Sequence, residues 1–267
     1  INQWEQAEDS MYTLCGKDRI HPSTDGHLVM AYLFLKAQGL AGKPVADIRI
    51  DGAGKKVTRS DNCRVSDLSV SSDNLTFTYE AKSLPYPIDT SYYDNEKHTQ
   101  ADALSVIPFM DEMNYEGLSV SGLSDGYYGL TIGGEFIGRF TARELERGIN
   151  MALLQNTPQY KQAMKIRQMN EERWLKERKM REFYWVEYNL MRKTGMLWAC
   201  NEAAVDTLRK YRPHDIFLQW NGDLWLQYMH KGIREDCVNE QQDLVNQIYE
   251  QNKPIPLRIE IKKFTDL

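Results

Sequence analysis

The sequence predicts an α/β protein in three parts. Residues 1–50 form a piece of an α/β core, 51–140 a small antiparallel β module, and 141–267 a helical extension with one long helix and a short terminal strand. Three observations predict this. A short apolar run, Met11 to Cys15, leads through a polar loop into a strongly apolar helical stretch, Leu28 to Leu35. Period-two alternation dominates from Cys63 to Phe140, as in half-buried strands. Helical spacing with capping and breaking residues then takes over from Thr141.

The elements follow in order. Residues 1–12 read as the end of a helix or its connection, and Met11-Tyr12-Thr13-Leu14-Cys15 as the last strand of a parallel sheet, broken by Gly16. Pro22 closes the next loop. Ser23, Thr24 or Asp25 can cap a helix that runs to about Gln38 and stops at Gly39. That helix is apolar nearly all round and must be covered on most sides. Pro44 to Ile50 is an outgoing strand, and Asp51 to Lys56 a polar turn that lacks phosphate-loop spacing.

Leu75 to Ala81, Leu118 to Val120 and Tyr128 to Ile132 are strands. Gly133-Gly134 joins the last of these to Glu135 to Phe140 as a hairpin. A long Pro- and Tyr-bearing loop, Pro85 to Asp94, lies between strands. Its Tyr92 and Tyr93 either line a substrate cleft or pack on the module. Thr141 and Glu144 form a capping box.

Pro158 opens a helix expected to reach about Lys193, with Tyr160, Ala163, Ile166, Trp174, Phe183, Tyr184 and Leu190 as its buried stripe. Its charged middle, Asn170 to Arg181, projects into solvent or meets a partner subunit, so an oligomer through the long helix is an expectation. Helices follow over Met196 to Tyr211, Asp215 to Gly232 and Glu240 to Asn252. Leu257 to Ile261 alternates as a terminal strand.

Composition limits the function. With 267 residues, 42% hydrophobic and 27% charged, the chain suits a packed protein. A net charge of -5 and a pI near 5.6 argue against nucleic acid as a partner. No run of about 18 apolar residues is present, so no membrane span is expected. Cys15, Cys63, Cys200 and Cys237 are scattered without zinc or redox spacing. They read as buried or partly buried thiols, with one disulfide open if the protein is exported. No cofactor and no metal site is expected.

The chemistry concentrates in Asp18-Arg19-Ile20-His21-Pro22-Ser23-Thr24-Asp25-Gly26-His27. An acid and an imidazole are the residue types that a hydrolase's base needs, but the D-x-x-H spacing alone is a weak signal. The block Asp18-x-x-His21-Pro22 followed by Gly26-His27 and an apolar helix resembles the last conserved block of the SGNH (GDSL-like) hydrolases, over about Thr13 to Gly39.

The resemblance implies a three-layer α/β/α core and a serine esterase or acylhydrolase, with His21 as general base and Asp18 orienting it. It also implies an ester substrate, small-molecule or carbohydrate, and a periplasmic or secreted location. Glu135 to Ala163 is similar to an extension found in a subset of bacterial members. The family's G-D-S, Gly and G-x-N-D blocks are missing from this chain. Ser10 in Glu8-Asp9-Ser10-Met11 lacks the Gly and stands immediately before the last block.

Either the chain is the C-terminal part of a longer polypeptide whose N-terminal part supplies the Ser, or the Ser has been lost. In the second case the scaffold serves binding. The opening Ile1-Asn2-Gln3-Trp4-Glu5 reads like mid-helix and favours the first. His27 is either a substrate contact or a helix-start residue bonded to backbone. His98, His214 and His230 read as surface or helix residues.

Overall fold

The computed structural model describes residues 14–15, 19–90 and 98–264. They form an α/β fold with a helical extension, divided into two compact units. One comprises residues 1–164 with 253–267, the other 165–252.

In the first unit the apolar stretch after Pro22 forms α1 (Thr24–Ala37), and Gly39 follows with a left-handed φ of 74°. Ser23 occupies the N-cap position, yet its hydroxyl makes no cap hydrogen bond and turns to other partners. Leu28, Val29 and Tyr32 are buried against Ala103, Ile107, Phe109 and Met110. Those residues come from a 3-10 helix (Gln100–Ser105) and the short α2 (Phe109–Glu112), which lie far along the chain. The opposite face of α1, with Met30, Leu33 and Phe34, stays exposed within the chain.

Two sheets follow. The first has the order β2 (Lys56–Asp61), β1 (Ala46–Asp51), β5 (Glu116–Ser121), β8 (Ile149–Asn150). The strand expected to leave the core at 44–50 is therefore β1, paired inside this sheet. It runs parallel to β5, with Ile48 opposite Leu118. The second sheet has the order β3 (Cys63–Val70), β4 (Asn74–Ala81), β9 (Leu257–Lys263), β6 (Tyr127–Ile132), β7 (Glu135–Thr141).

The terminal strand thus inserts between β4 and β6 and pairs antiparallel with both. Gly133 and Gly134 both take positive φ, 59° and 87°, as the two-residue hairpin requires. The capping box at Thr141 and Glu144 starts α3 (Ala142–Arg147). Ile48, Ile50, Leu118 and Val120 of the first sheet share one core with Phe77, Leu130, Ile132, Ile259 and Ile261 of the second. Each such fully buried side chain contributes about 1.5–3 kcal/mol.

The long helix is α4 (Pro158–Val186); it passes into a π-helical turn, Glu187–Met191, rather than continuing as regular helix to 193. Trp174 and Tyr184 are exposed, so the expected stripe is corrected to Tyr160, Ala163, Met169, Met180, Phe183, Val186 and Leu190. The charged middle is laced by ion pairs such as Arg167–Glu171 and Arg181–Glu177. In the second unit the end of α4 packs with α5 (Glu202–Tyr211), α6 (Ile216–Tyr228) and α7 (Lys231–Gln251) around Phe183, Val186, Leu208 and Trp225. Glu187, in the π turn, is buried and accepts bonds from Trp225 Nε1 (2.7 Å) and the Trp198 N–H (2.8 Å). All four cysteines are free thiols, and no described helix is long and apolar enough to cross a membrane.

Two predictions come from this architecture. Glu116 lies fully buried in the first unit, held by the Tyr79 hydroxyl (2.7 Å) and Gln159 Nε2 (3.3 Å). Burial raises its carboxyl from 4.5 to about 7, partly opposed by those two donors. Between these values the folded chain holds a proton that the unfolded chain does not. Stability therefore falls as pH rises from 4.5 through 7, by up to about 3 kcal/mol. Glu116→Gln should lose much of this slope in urea titrations at pH 5 and pH 8; parallel slopes for variant and parent would refute it.

The second concerns Gly26. A Cβ there would stand 2.0 Å from the Leu14 carbonyl oxygen and 3.3 Å from Pro22 Cβ. Gly26→Ala should therefore destabilise the first unit by about 1–3 kcal/mol through overpacking. An unchanged melting temperature would show that this contact is loose.

Candidate active site

The loop that carries the Asp/His block is built by backbone geometry first. Leu14 and Cys15 run against Pro22 and Ser23: Cys15 and Pro22 form an antiparallel bridge, and the Ser23 N–H bonds the Leu14 carbonyl (3.0 Å). The described residues of the loop, 19–21, lead into this joint. Arg19 among them takes a left-handed φ of 54°, a conformation that costs free energy in a non-glycine residue. Pro22 disfavours helical backbone at the residue before it, His21. His21 is exposed, and Ile20 beside it is exposed too.

The two predicted site residues fare differently. His21 is described and stands at the solvent-facing end of the loop. Asp18 lies outside the described residues, as do Ser10, Tyr92 and Tyr93. His27 is exposed on the first turn of α1, and its backbone N–H donates to Ser23 O at 2.9 Å.

The described residues bring together a cluster that spacing does not reveal. Asp25, on the first turn of α1, is completely buried. Its Oδ1 accepts the Gly26 N–H (2.9 Å) and the Ser23 hydroxyl, and lies 3.1 Å from His98 Nδ1. The Ser23 hydroxyl also lies 3.1 Å from the Leu14 carbonyl. An ionised carboxylate only accepts, so the His98 ring donates from Nδ1.

Buried charge of this kind persists only when paired and hydrogen-bonded, and here the partners come from two distant parts of the chain. His98 is a quarter exposed, not the surface residue its polar surroundings suggest. Its place is fixed by the next residues. Thr99 and Asp102 form a capping box on the 3-10 helix, whose Ala103 packs on α1. The signal that could have found it was the carboxylate at position 25, which a purely local cap does not need to bury.

Among the described residues no group of three or more His, Cys, Asp or Glu is placed to hold a metal ion. The described residues place an exposed imidazole, His21, four residues before a buried carboxylate, Asp25.

Comparison with known proteins adds two findings. Residues 164–253 match the family profile described as the diltiazem deacetylase C-terminal helical domain. Over 98% of its length the chain is similar to a solved structure, BT4096, described as a gut microbial diltiazem-metabolizing enzyme, with 40% identity and a TM-score of 0.92. The chain spans 60% of that protein's length. No curated protein matches.

Proposed function

We propose that this chain is part of a serine ester hydrolase of SGNH type, with His21 as general base and Asp18 as the carboxylate that orients it. The observation that carries the reading is the loop itself. His21-Pro22 leads straight into α1, and Pro22 is bridged to Cys15. The expected strand over Met11 to Cys15 lies mostly outside the described residues; with that strand in place, the loop stands between a strand and a helix, where α/β sheets collect their active sites.

Two further observations support it. Met30, Leu33 and Phe34 leave one face of α1 apolar and exposed, the face a sheet from elsewhere in the polypeptide would cover. The similar solved structure is longer than this chain and is described as metabolizing diltiazem, and the matching family profile is named for a deacetylase. Removal of an acetyl group by water is acyl transfer, the reaction a Ser-His-Asp constellation performs.

In the proposed reaction a serine from the rest of the polypeptide attacks an ester carbonyl. His21 takes the serine proton, and the carbonyl oxygen becomes an oxyanion. The tetrahedral intermediate collapses as His21 returns the proton to the leaving alcohol, leaving an acyl-enzyme. A water molecule, deprotonated by His21, then attacks the acyl-enzyme. As the acyl–serine bond breaks, His21 returns the proton to the serine oxygen and the carboxylic acid leaves. Asp18 stabilises the imidazolium in both halves. The substrate class is an acetyl or other short acyl ester of a small molecule or sugar, and an exported location is carried over from the same family likeness.

Because His21 is exposed, its removal should spare the fold while removing the base. On the full-length gene product with p-nitrophenyl acetate, His21→Ala and Asp18→Asn should each lower kcat roughly thousandfold or more. The melting temperature of His21→Ala should stay within a degree or two, as for other exposed substitutions. Parent-like turnover in His21→Ala would overturn the assignment.

A further inference from the structure

We propose that His98 is a positioning residue of this candidate site: through buried Asp25 it locks the start of α1, and with it the backbone that presents His21. The inference rests on the reading of His21 as the base. It adds a part of the chain that the Asp/His block does not contain, 73 residues away from Asp25.

The chain of contacts is short. His98 Nδ1 meets Asp25 Oδ1 at 3.1 Å. The same oxygen accepts the Ser23 hydroxyl and the Gly26 N–H. Ser23 is fastened to the Leu14 carbonyl by its N–H and lies directly after Pro22. Only Pro22 separates Ser23 from His21. Gly26, next to Asp25, rests under the Leu14 carbonyl with no room for a Cβ. The start of α1 is thus held at three points within four residues, and His98 is the point supplied from outside the local sequence.

Asp25 is fully buried, so loss of one donor leaves its charge under-compensated in a low-dielectric setting. The cheapest relief is for the Asp25 side chain to move towards water, which draws Ser23 and the first turn of α1 with it. A displacement of about 1 Å at a catalytic group can cost on the order of a hundredfold in rate. The imidazole suits the task because one ring nitrogen points at the carboxylate while the ring body, three-quarters covered, fills the space beside α1. The residues that follow, Thr99 to Ile107, seat it: their capping box and the packing of Ala103 and Ile107 on Leu28 and Tyr32 leave His98 little freedom.

Two amide substitutions separate positioning from bulk. An Asn side chain places an N–H near the Nδ1 position, whereas Gln keeps the bulk but carries its amide further out. In the full-length protein, His98→Gln should lower kcat roughly tenfold to hundredfold with KM changed by less than about threefold. His98→Asn should recover to within about fivefold of the parent, because the donor to Asp25 is restored. A fluorophosphonate probe supplies the second readout. His98→Gln should label more slowly than the parent but reach the same end-point stoichiometry.

If His98→Gln turns over like the parent while His21→Ala is inactive, the inference fails and the reading of His21 survives. A labelling end point that falls in proportion to kcat would mean simple loss of folded protein, and would also overturn the positioning role. If His21→Ala itself stays active, the underlying reading fails instead.

Discussion

The constraint on which the rest depends is the close approach of the first turn of α1 to the Leu14 carbonyl. That oxygen takes the Ser23 N–H, lies within reach of the Ser23 hydroxyl, and stands where any side chain at position 26 would have to go. Backbone polar groups in such a place must be paired, and the pairing fixes where the helix begins. His21, exposed, stands two residues before Ser23 at this joint. Asp25 completes the joint: among the described residues Ser23, Gly26 and His98 all meet its Oδ1, which offsets the cost of its burial.

The two sheets serve this joint indirectly. They carry, between β4 and β5, the long connection that returns His98 and the 3-10 helix to α1. Their own rigidity comes from a shared apolar core closed by the terminal strand, which slots between β4 and β6 and so ties residues 257–263 to the first unit. The buried Glu116, Tyr79 and Gln159 group is the costly element of that core. The helical unit has its own buried carboxylate, Glu187, placed where the π turn widens the helix and lets Trp225 and Trp198 donate to it. π turns of this sort are rare and cluster at sites with a special task; here the task seen is structural.

Much of the architecture was legible because it follows local rules. Alternation marked β4, β6, β7 and β9, the glycine pair marked the hairpin, and Thr141 and Glu144 marked a helix start. What escaped was non-local or lacked contrast. β2 is polar and mostly exposed at the edge of its sheet, so it shows no apolar face to read. The helix from Pro158 was expected to run to 193 because periodicity does not register a π turn. Trp174 and Tyr184 were counted as buried on spacing alone, yet aromatic side chains on a charged helix can lie along its surface.

Within the site, the Asp/His spacing and the proline were visible in the chain. The Asp25–His98 contact was not, since its partners are 73 positions apart and neither repeats any pattern. Histidine 98 looked like a surface residue for the same reason: only the fold brings a buried carboxylate to it.

The central claim, that the loop around His21 is the basic arm of a serine hydrolase, is tested most directly by a crystal structure of the full-length protein after reaction with a fluorophosphonate. The account predicts one phosphonylated serine whose Oγ lies within hydrogen-bond reach, about 3 Å, of the His21 ring, with Asp18 on the other ring nitrogen. A modified serine served by a different base, or no modified serine at all, would contradict it.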